Sequence, residues 1–370
     1  MRRAMSRRLP LTSVTTTQSV PLAERTTLRL GGPAARFVHA TTAAELVEAV
    51  RTADAAADEK VLVLGGGSNV VIADSGFDGT VVQVGTKGFR LDPLGGGIVQ
   101  FTVEAGEEWD AVVAEAVAQG LGGLECLSGI PGSNGATPVQ NVGAYGVEIA
   151  QVLQSVDLLD RRSGKVHQVP AAKLGLDYRT SVLKNTDQAV VLRTRFSLTA
   201  GGMSAPIRYA ELARVLGVAQ GDRVPADEAR KAVLELRRGK GMVLDPADHD
   251  TWSAGSFFTN PVLDDATLSG VLIRVAERLG SDVDVPAYPA GNGFRKLSAA
   301  WLIERAGFRR GHQGPGGRVA LSSKHTLALT NRGGASTEDL LDLAREVRDG
   351  VRAAFGVELH PEPVFVGVHL

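Results

Sequence analysis

The chain has 370 residues, 44% hydrophobic and 22% charged, with a formal net charge of −1 and one cysteine, Cys126. That composition is ordinary for a globular chain of two or three domains. Near-zero net charge gives no global field for nucleic acid or an anionic membrane, and a lone cysteine builds neither an internal disulfide nor a cysteine-based metal site, as suits a reducing cytoplasm.

The N-terminal arginines are followed by no apolar run of secretory-signal length, and no later segment reaches about 18 to 20 uninterrupted apolar residues. No export signal and no membrane-spanning helix is expected. Residues 1–20 read as a mobile tail. Thr42 and Glu45 stand in capping-box spacing and open a helix running to Ala53. Apolar β-type runs follow at Val61–Leu64 and Val70–Ile72, separated by a glycine turn, then strands at Thr80–Val84 and Val99–Val103. A helix is expected from Glu107 to Gln119, stopped by Gly120. Gly120–Gly146 has neither helical nor strand period, and a coil that long inside a compact domain is more often functional than idle. Strands at Ser155–Leu159 and Val190–Leu198 close this region, and Thr199–Ser204 marks a boundary. Beyond it, helices are expected at Ala226–Arg238, Asp265–Leu279, Ser298–Ala306 and Glu338–Phe355, the last with Ser336 and Asp339 in capping-box spacing. Strand character returns at Thr326–Asn331 and in the terminal "EPVFVGVHL". The order is α+β.

Two glycine-rich segments carry the first functional signal. Gly65-Gly66-Gly67-Ser68-Asn69 directly follows an apolar strand, and its small residues let backbone amides converge on a phosphate. It is neither a Walker loop nor a GxGxxG turn opening a helix, and a plain tight β-turn fits the pattern equally well. "SGIPGSNGATPVQNVGAYG" offers many amides and hydroxyls with few charges, suited to wrapping a large polar ligand, or else to an Ω-loop packed on itself. Two such cradles in one domain favour a dinucleotide.

Tyr178-Arg179, Lys240 and Glu362 are candidates of lower specificity: arginine grips carboxylates bidentately, and a glutamate between two prolines is pinned, but each alone is most often a surface ion pair. Ser256, in "SAGSFFTNP", lacks the flanking glycines of a nucleophile elbow and has Thr259 where a Ser-x-x-Lys motif needs lysine. What remains is a hydroxyl against aromatic surface able to donate a proton, or a turn cap. The seven histidines show no metal-ligand spacing, so no metal is expected.

Taken in order, "TTLRLGGPA", "VLGGGSNVVI", "GIPGSNGATPVQNVGAYG", "YRTSVLK", "SAGSFFTNP", "WLIERAGF" and "HPEPVFVG" resemble the UDP-N-acetylenolpyruvoylglucosamine reductase family (UDP-N-acetylmuramate dehydrogenase, MurB) over about residues 20 to 370. The resemblance implies an α+β fold: a two-lobed FAD-binding module of the vanillyl-alcohol-oxidase type and a substrate-binding domain. Its parts would be lobe 1 at residues 21–85 and 358–370, lobe 2 at 86–202, and the substrate domain at 203–357. FAD would be held by Val63, Leu64, Gly65, Gly66, Gly67, Ser68 and Asn69, and by Ile130, Pro131, Gly132, Ser133, Gly135, Ala136, Thr137, Gln140, Asn141, Gly143, Ala144, Tyr145 and Gly146. By the same resemblance, hydride passes from NADPH through FAD N5 to C3 of the enolpyruvyl group of a UDP-N-acetylglucosamine substrate. Ser256 would protonate C2, Arg179 and Glu362 would polarise the carboxylate, and Tyr178, Tyr209, Lys240 and Asn260 would bind substrate. Tyr209 would place the chain in the longer, tyrosine-loop class.

A glutamate beside a substrate carboxylate should have a raised pKa, since two like charges repel. The resemblance further implies a cytoplasmic monomer in peptidoglycan synthesis, without nucleic-acid or membrane partners. Thr26, Thr180 and Thr259 depart from the family's usual Asn, Asp and Lys, which puts local substrate contacts in question. The readings that compete are a FAD-dependent oxidase of a sugar or alcohol on the same module, and a non-catalytic nucleotide-sugar-binding regulator.

Overall fold

The computed structural model describes residues 15–370 apart from Asn292. Three cores organise the chain. In the first lobe, Thr16–Pro21 (β1) pairs antiparallel with Pro33–Ala40 (β2). β2 lies parallel to Phe77–Val84 (β5), which in turn lies parallel to Val61–Leu64 (β3). Helix Ala43–Asp54 (α1) starts on the Thr42–Glu45 capping box, and its Leu46, Ala49 and Val50 pack on this sheet. Val70–Ile72 (β4) pairs parallel with the C-terminal strand Val364–Val366 (β19), which brings the chain end beside the first lobe.

The second lobe is antiparallel. Phe89–Gly95 (β6), Ile98–Glu104 (β7), Leu153–Asp160 (β11), Lys165–Pro170 (β12) and Ala189–Ala200 (β13) lie in the order β12-β11-β13-β7-β6, with Leu121–Gly122 (β8) also on β13. Trp109–Ala118 (α2) buries Trp109, Val112 and Val113 against it. Gly143–Ala144 (β9) and Val147–Glu148 (β10) form a small hairpin. Leu159, Val190 and Leu192 of the second lobe share one apolar cluster with α1, which seats the two lobes on each other.

Helices Ala210–Leu216 (α3) and Ala226–Gly239 (α4) follow. Their Leu212, Ala213, Ala229 and Val233 belong to the second lobe's core, so residues 203–244 extend that lobe instead of opening the substrate domain at 203. The third core contains Val262–Asp264 (β14), Asp265–Leu279 (α5), Ala287–Pro289 (β15), Phe294–Leu297 (β16), Ala299–Ala306 (α6), Val319–Leu321 (β17), Leu329–Asn331 (β18) and Thr337–Phe355 (α7). Leu28 and Leu30, between β1 and β2, are buried in this third core rather than the first. The mobile-tail expectation is corrected for residues 16–20, which form β1; residues 1–14 lie outside the described residues. β1 is exposed along nearly its whole length and polar, which is why no apolar alternation announced it.

Candidate active site

The turn Gly65–Asn69 bridges β3 and β4, and glycine is required there by close approach. A Cβ on Gly66 would stand 2.7 Å from Gly132 Cα, and one on Gly132, whose φ is +120°, would stand 2.5 Å from Ser68 Oγ. The two glycine-rich segments are therefore packed back to back as one wall. Gly67 (φ +62°) faces the Arg25 carbonyl, and Thr27 N donates to Gly67 O at 3.0 Å. Among the described residues, the amides of Gly66, Gly67, Ser68 and Asn69 donate to no acceptor in the chain. Four free N–H groups on a turn beside a cleft suit a pyrophosphate.

That cleft has a volume of about 1480 Å³ and is lined by both lobes and the third core. It exceeds the roughly 300–1,000 Å³ of a typical small-ligand pocket, as room for a dinucleotide together with a second ligand requires. Of the residues assigned to FAD, all but Gly132 and Asn141 line it. Gly132 acts behind the wall. Asn141 is buried, in a left-handed conformation (φ 47°), donating to Glu148 Oε2 at 3.0 Å and to Asp177 O at 3.1 Å and accepting from Ala150 N at 2.9 Å. It braces the segment instead of facing the cleft.

One end of the cleft gathers the acid-binding candidates. Arg179 Nε stands 3.4 Å from Glu362 Oε1, and its Nη2 donates to Gly143 O at 2.7 Å. Arg179 holds φ 53°, a strained value for a non-glycine residue, inside a tight loop where Asp177 and Thr180 exchange backbone hydrogen bonds of 3.2 and 3.1 Å. Glu362 Oε1 also accepts from Gln140 Nε2 at 3.3 Å, and Asn69 Nδ2 donates to Gln140 Oε1 at 2.8 Å and to Glu362 O at 3.3 Å. Burial pushes the Glu362 carboxyl above its ordinary range, while the cations of Arg179 and Lys184 pull the other way. The expected direction thus holds before any substrate carboxylate is present, and its cause is desolvation. Burial likewise lowers the Lys184 ammonium and raises the Tyr178 phenol, over whose ring Lys296 Nζ sits at 4.4 Å.

Ser256 lines the cleft, half-buried, and its hydroxyl is bonded to no described residue. The aromatic wall expected beside it is not there: the Phe257 and Phe258 rings are buried in the third core, edge to face at 5.2 Å. These rings instead anchor the segment, and Glu362 N donates to Phe257 O at 2.9 Å, with Phe258 bridged to Pro361. Serine and glutamate are thereby carried on adjoining, hydrogen-bonded chain segments. Asn260 also lines the cleft, and its Oδ1 accepts from Ala299 N at 2.9 Å at the start of α6. Thr259 binds the His360 carbonyl through both its amide and its hydroxyl, and Thr180 serves the Asp177 loop.

At another part of the cleft wall, Tyr145 and Tyr209 meet edge to face at 5.4 Å, and Lys240 Nζ lies 5.9 Å from the Tyr145 ring centroid. Burial pushes the Tyr145 phenol up to about 12. Sequence reasoning gave no role to Lys184, Arg237, Lys296 or His325, all of which line the cleft. Arg237 is half-buried, and desolvation of its guanidinium lowers its pKa; Nη2 donates to Met242 O at 2.8 Å. His325 is pushed down to about 4 by burial first and by Lys240 second, so its imidazole is neutral at physiological pH. Lys184 closes the quoted "YRTSVLK" and was the one legible from sequence; the others reach the cleft only through folding. Cys126 is buried in the second lobe's core, where it packs as a small hydrophobe and its thiol is pushed up to about 12. Among the described residues no group of three or more His, Cys, Asp and Glu is placed to hold a metal ion.

The donor set fits a flavin dinucleotide, and residues 34–170 match the family described as "FAD binding domain". The fold and site therefore define a FAD-dependent oxidoreductase on a two-lobed FAD-binding module. Residues 245–366 match the family described as "UDP-N-acetylenolpyruvoylglucosamine reductase, C-terminal domain". A UDP-N-acetylenolpyruvoylglucosamine reductase of Saccharopolyspora erythraea is 70% identical over 93% of this chain and 94% of its own length. One from Thermobifida fusca is 56% identical over 95% and 98%. The crystal structure of UDP-N-acetylenolpyruvylglucosamine reductase from Thermus caldophilus superposes with a TM-score of 0.62 at 25% identity, covering 95% of this chain and 98% of that one. The chain belongs to the UDP-N-acetylenolpyruvoylglucosamine reductase family.

Proposed function

We propose that this chain reduces the enolpyruvyl ether of UDP-N-acetylglucosamine to UDP-N-acetylmuramate for peptidoglycan synthesis, as a cytoplasmic monomer that uses NADPH. The observation that carries the reading is the meeting of Arg179, Glu362 and Ser256 on one cleft with the glycine wall. An oxidase sharing the FAD module has no use for a guanidinium and a buried carboxyl beside that wall, and family membership sets the non-catalytic alternative aside. Among the described residues no helix is long and apolar enough to cross a membrane.

Residues 63–69 and 130–146 would hold FAD, which when bound would supply the hydride-transfer chemistry between NADPH and C3 of the enolpyruvyl group. Arg179 grips the substrate carboxylate, where negative charge grows as the alkene electron pair shifts toward C2 and the acid. Burial shifts the Glu362 carboxyl toward its protonated form against the pull of Arg179 and Lys184, and in that form it donates a hydrogen bond to the substrate carboxylate instead of repelling it. Gln140 and Asn69 hold the Glu362 carboxyl in place. Ser256 Oγ gives its proton to C2, which completes addition of hydrogen across the double bond. Lys240, Tyr209, Tyr178 and Asn260 bind the nucleotide sugar. The deciding experiment is anaerobic: flavin reduced with NADPH should be reoxidised on adding the enolpyruvyl nucleotide sugar, and flavin that stays reduced refutes the assignment.

A further inference from the structure

Lys240 already has an acidic partner. Its Nζ lies 2.6 Å from Glu211 Oε2, and both side chains are about one-third exposed, at 34% and 32%. Glu211 sits in the first turn of α3, two residues after Tyr209, and lies outside the set of residues lining the cleft. Lys240 caps the C-terminus of α4. The ion pair therefore ties the segment bearing Tyr209 to the helix bearing Lys240. The same segment also rests on the FAD wall: a Cβ on Gly146 would stand 3.0 Å from Arg208 Cβ and 3.6 Å from Tyr209 N. Tyr145, Tyr209 and Lys240 thus form one contact group, and among the described residues the acid paired with its ammonium is Glu211.

We propose that Glu211 is a built-in counter-ion for Lys240, occupying the ammonium until an anionic nucleotide ligand displaces it and so releasing the Tyr209 segment to adjust over the ligand. This rests on the reading above in which Lys240 receives phosphate. A carboxylate in hydrogen-bond contact with the ammonium must be displaced, or share it, before a diphosphate oxygen can take its place. Glu211 is thus a positioning residue that lowers affinity for phosphorylated ligands in exchange for a closed, neutralised rim. Because a partly exposed pair is worth little, its removal should tighten ligand binding only about two- to fivefold.

The test is titration of the FAD-loaded chain with UDP and, separately, with NADP⁺ by calorimetry. Glu211→Gln, which keeps the shape and loses the charge, should lower both dissociation constants by that factor, and KM for the enolpyruvyl nucleotide should fall by more than kcat changes. Glu211→Asp, too short to keep the contact, guards against a folding failure of the first variant and should move binding in the same direction. In a Lys240→Met background, Glu211→Gln should no longer tighten binding. Equal or weaker binding by both Glu211 variants, or a gain that persists without Lys240, overturns the counter-ion role. A FAD-loaded wild-type chain that binds neither UDP nor NADP⁺ overturns the functional reading and this inference with it, whereas wild-type turnover with unaltered Glu211 variants overturns this inference alone.

Discussion

Gly67→Ala is the sharpest perturbation of the cofactor wall. Gly67 holds φ +62°, and a left-handed residue other than glycine costs about 1–2 kcal/mol. Its Cβ would also overlap the Arg25 carbonyl oxygen and stand 2.9 Å from both Arg25 C and Thr26 Cα. Those are backbone atoms that cannot rotate away, so the overpacking adds about 1–3 kcal/mol. The combined cost of about 2–5 kcal/mol is a large share of the roughly 5–15 kcal/mol that holds a folded chain together. Relief requires the turn to move away from Thr27, whose amide is bonded to Gly67 O, and the free amides of Ser68 and Asn69 move with it. The variant should purify with little flavin, read from its absorbance ratio, and its FAD-free form should unfold at lower urea than the wild type. Gly270→Ala is the control: it lies within α5, nothing lies within 4 Å of its Cβ position, and it should gain up to about 1 kcal/mol. A Gly67→Ala chain with full flavin and a wild-type urea midpoint would refute the reasoning.

Ser256→Ala should leave flavin reduction by NADPH nearly intact and slow reoxidation by substrate about 10²- to 10⁴-fold; stopped-flow traces slowed equally in both halves would contradict the proton-donor role. Arg179→Met removes a cation that favours ionised Glu362, so the carboxyl should stay protonated to higher pH than in the wild type, read by NMR titration of labelled glutamate. No change, or a fall, would mean that the ion pair does not govern this group. Asp339 is held well below the usual carboxylate range, chiefly by Arg318 and then by Ser336 at the start of α7. A depressed folded-state pKa gives stability that is present above the unfolded value, about 3.9, and lost as pH falls through the folded one. Asp339→Asn should therefore unfold more readily at neutral pH and lose stability less steeply in acid; parallel acid curves in denaturant titrations would count against it.

The elements that sequence placed well are those whose signals are local. Val61–Leu64 and Val70–Ile72 are bounded to the residue because an apolar strand gives way to glycines on one side only, and α1 and α7 begin on side-chain caps written in four consecutive residues. Several of the strands missed have little buried face, although β2 and β17, which do bury side chains, were missed as well. β12 is exposed at five of six positions and β6 carries Pro93, so neither shows the alternation that a half-buried strand prints on its sequence. Helix α4 was found but given to the wrong core. Its amphipathic period requires an apolar partner without saying which one, and the polar stretch at Thr199–Ser204 looked like a boundary although Gly202 N donates to Gly120 O and Ala226 N to Gly202 O, which tie the start of α4 back to the second lobe.

The same distinction governs the site. The glycine wall was legible because backbone approach selects glycine in runs, and its two segments needed only to be recognised as partners. The acid end was legible as residue types but not as a unit, since Asn69, Gln140, Arg179 and Glu362 come from four separate segments joined by hydrogen bonds and an ion pair of 2.8 to 3.4 Å. Their union depends on two crossings that no local pattern encodes: β19 lying parallel to β4, which delivers Glu362 beside Asn69, and Phe257 with Phe258 sinking into the third core, which fixes the Ser256 segment against Glu362. The first crossing links the FAD wall to the acid end through a single asparagine, whose carbonyl accepts from Val364 N while its side chain serves Gln140 and the Glu362 backbone. A shift of the wall therefore reaches the carboxyl by two routes, from Asn69 through Gln140 and from Gly143 through Arg179, so the placement of the acid end depends on both glycine-rich segments.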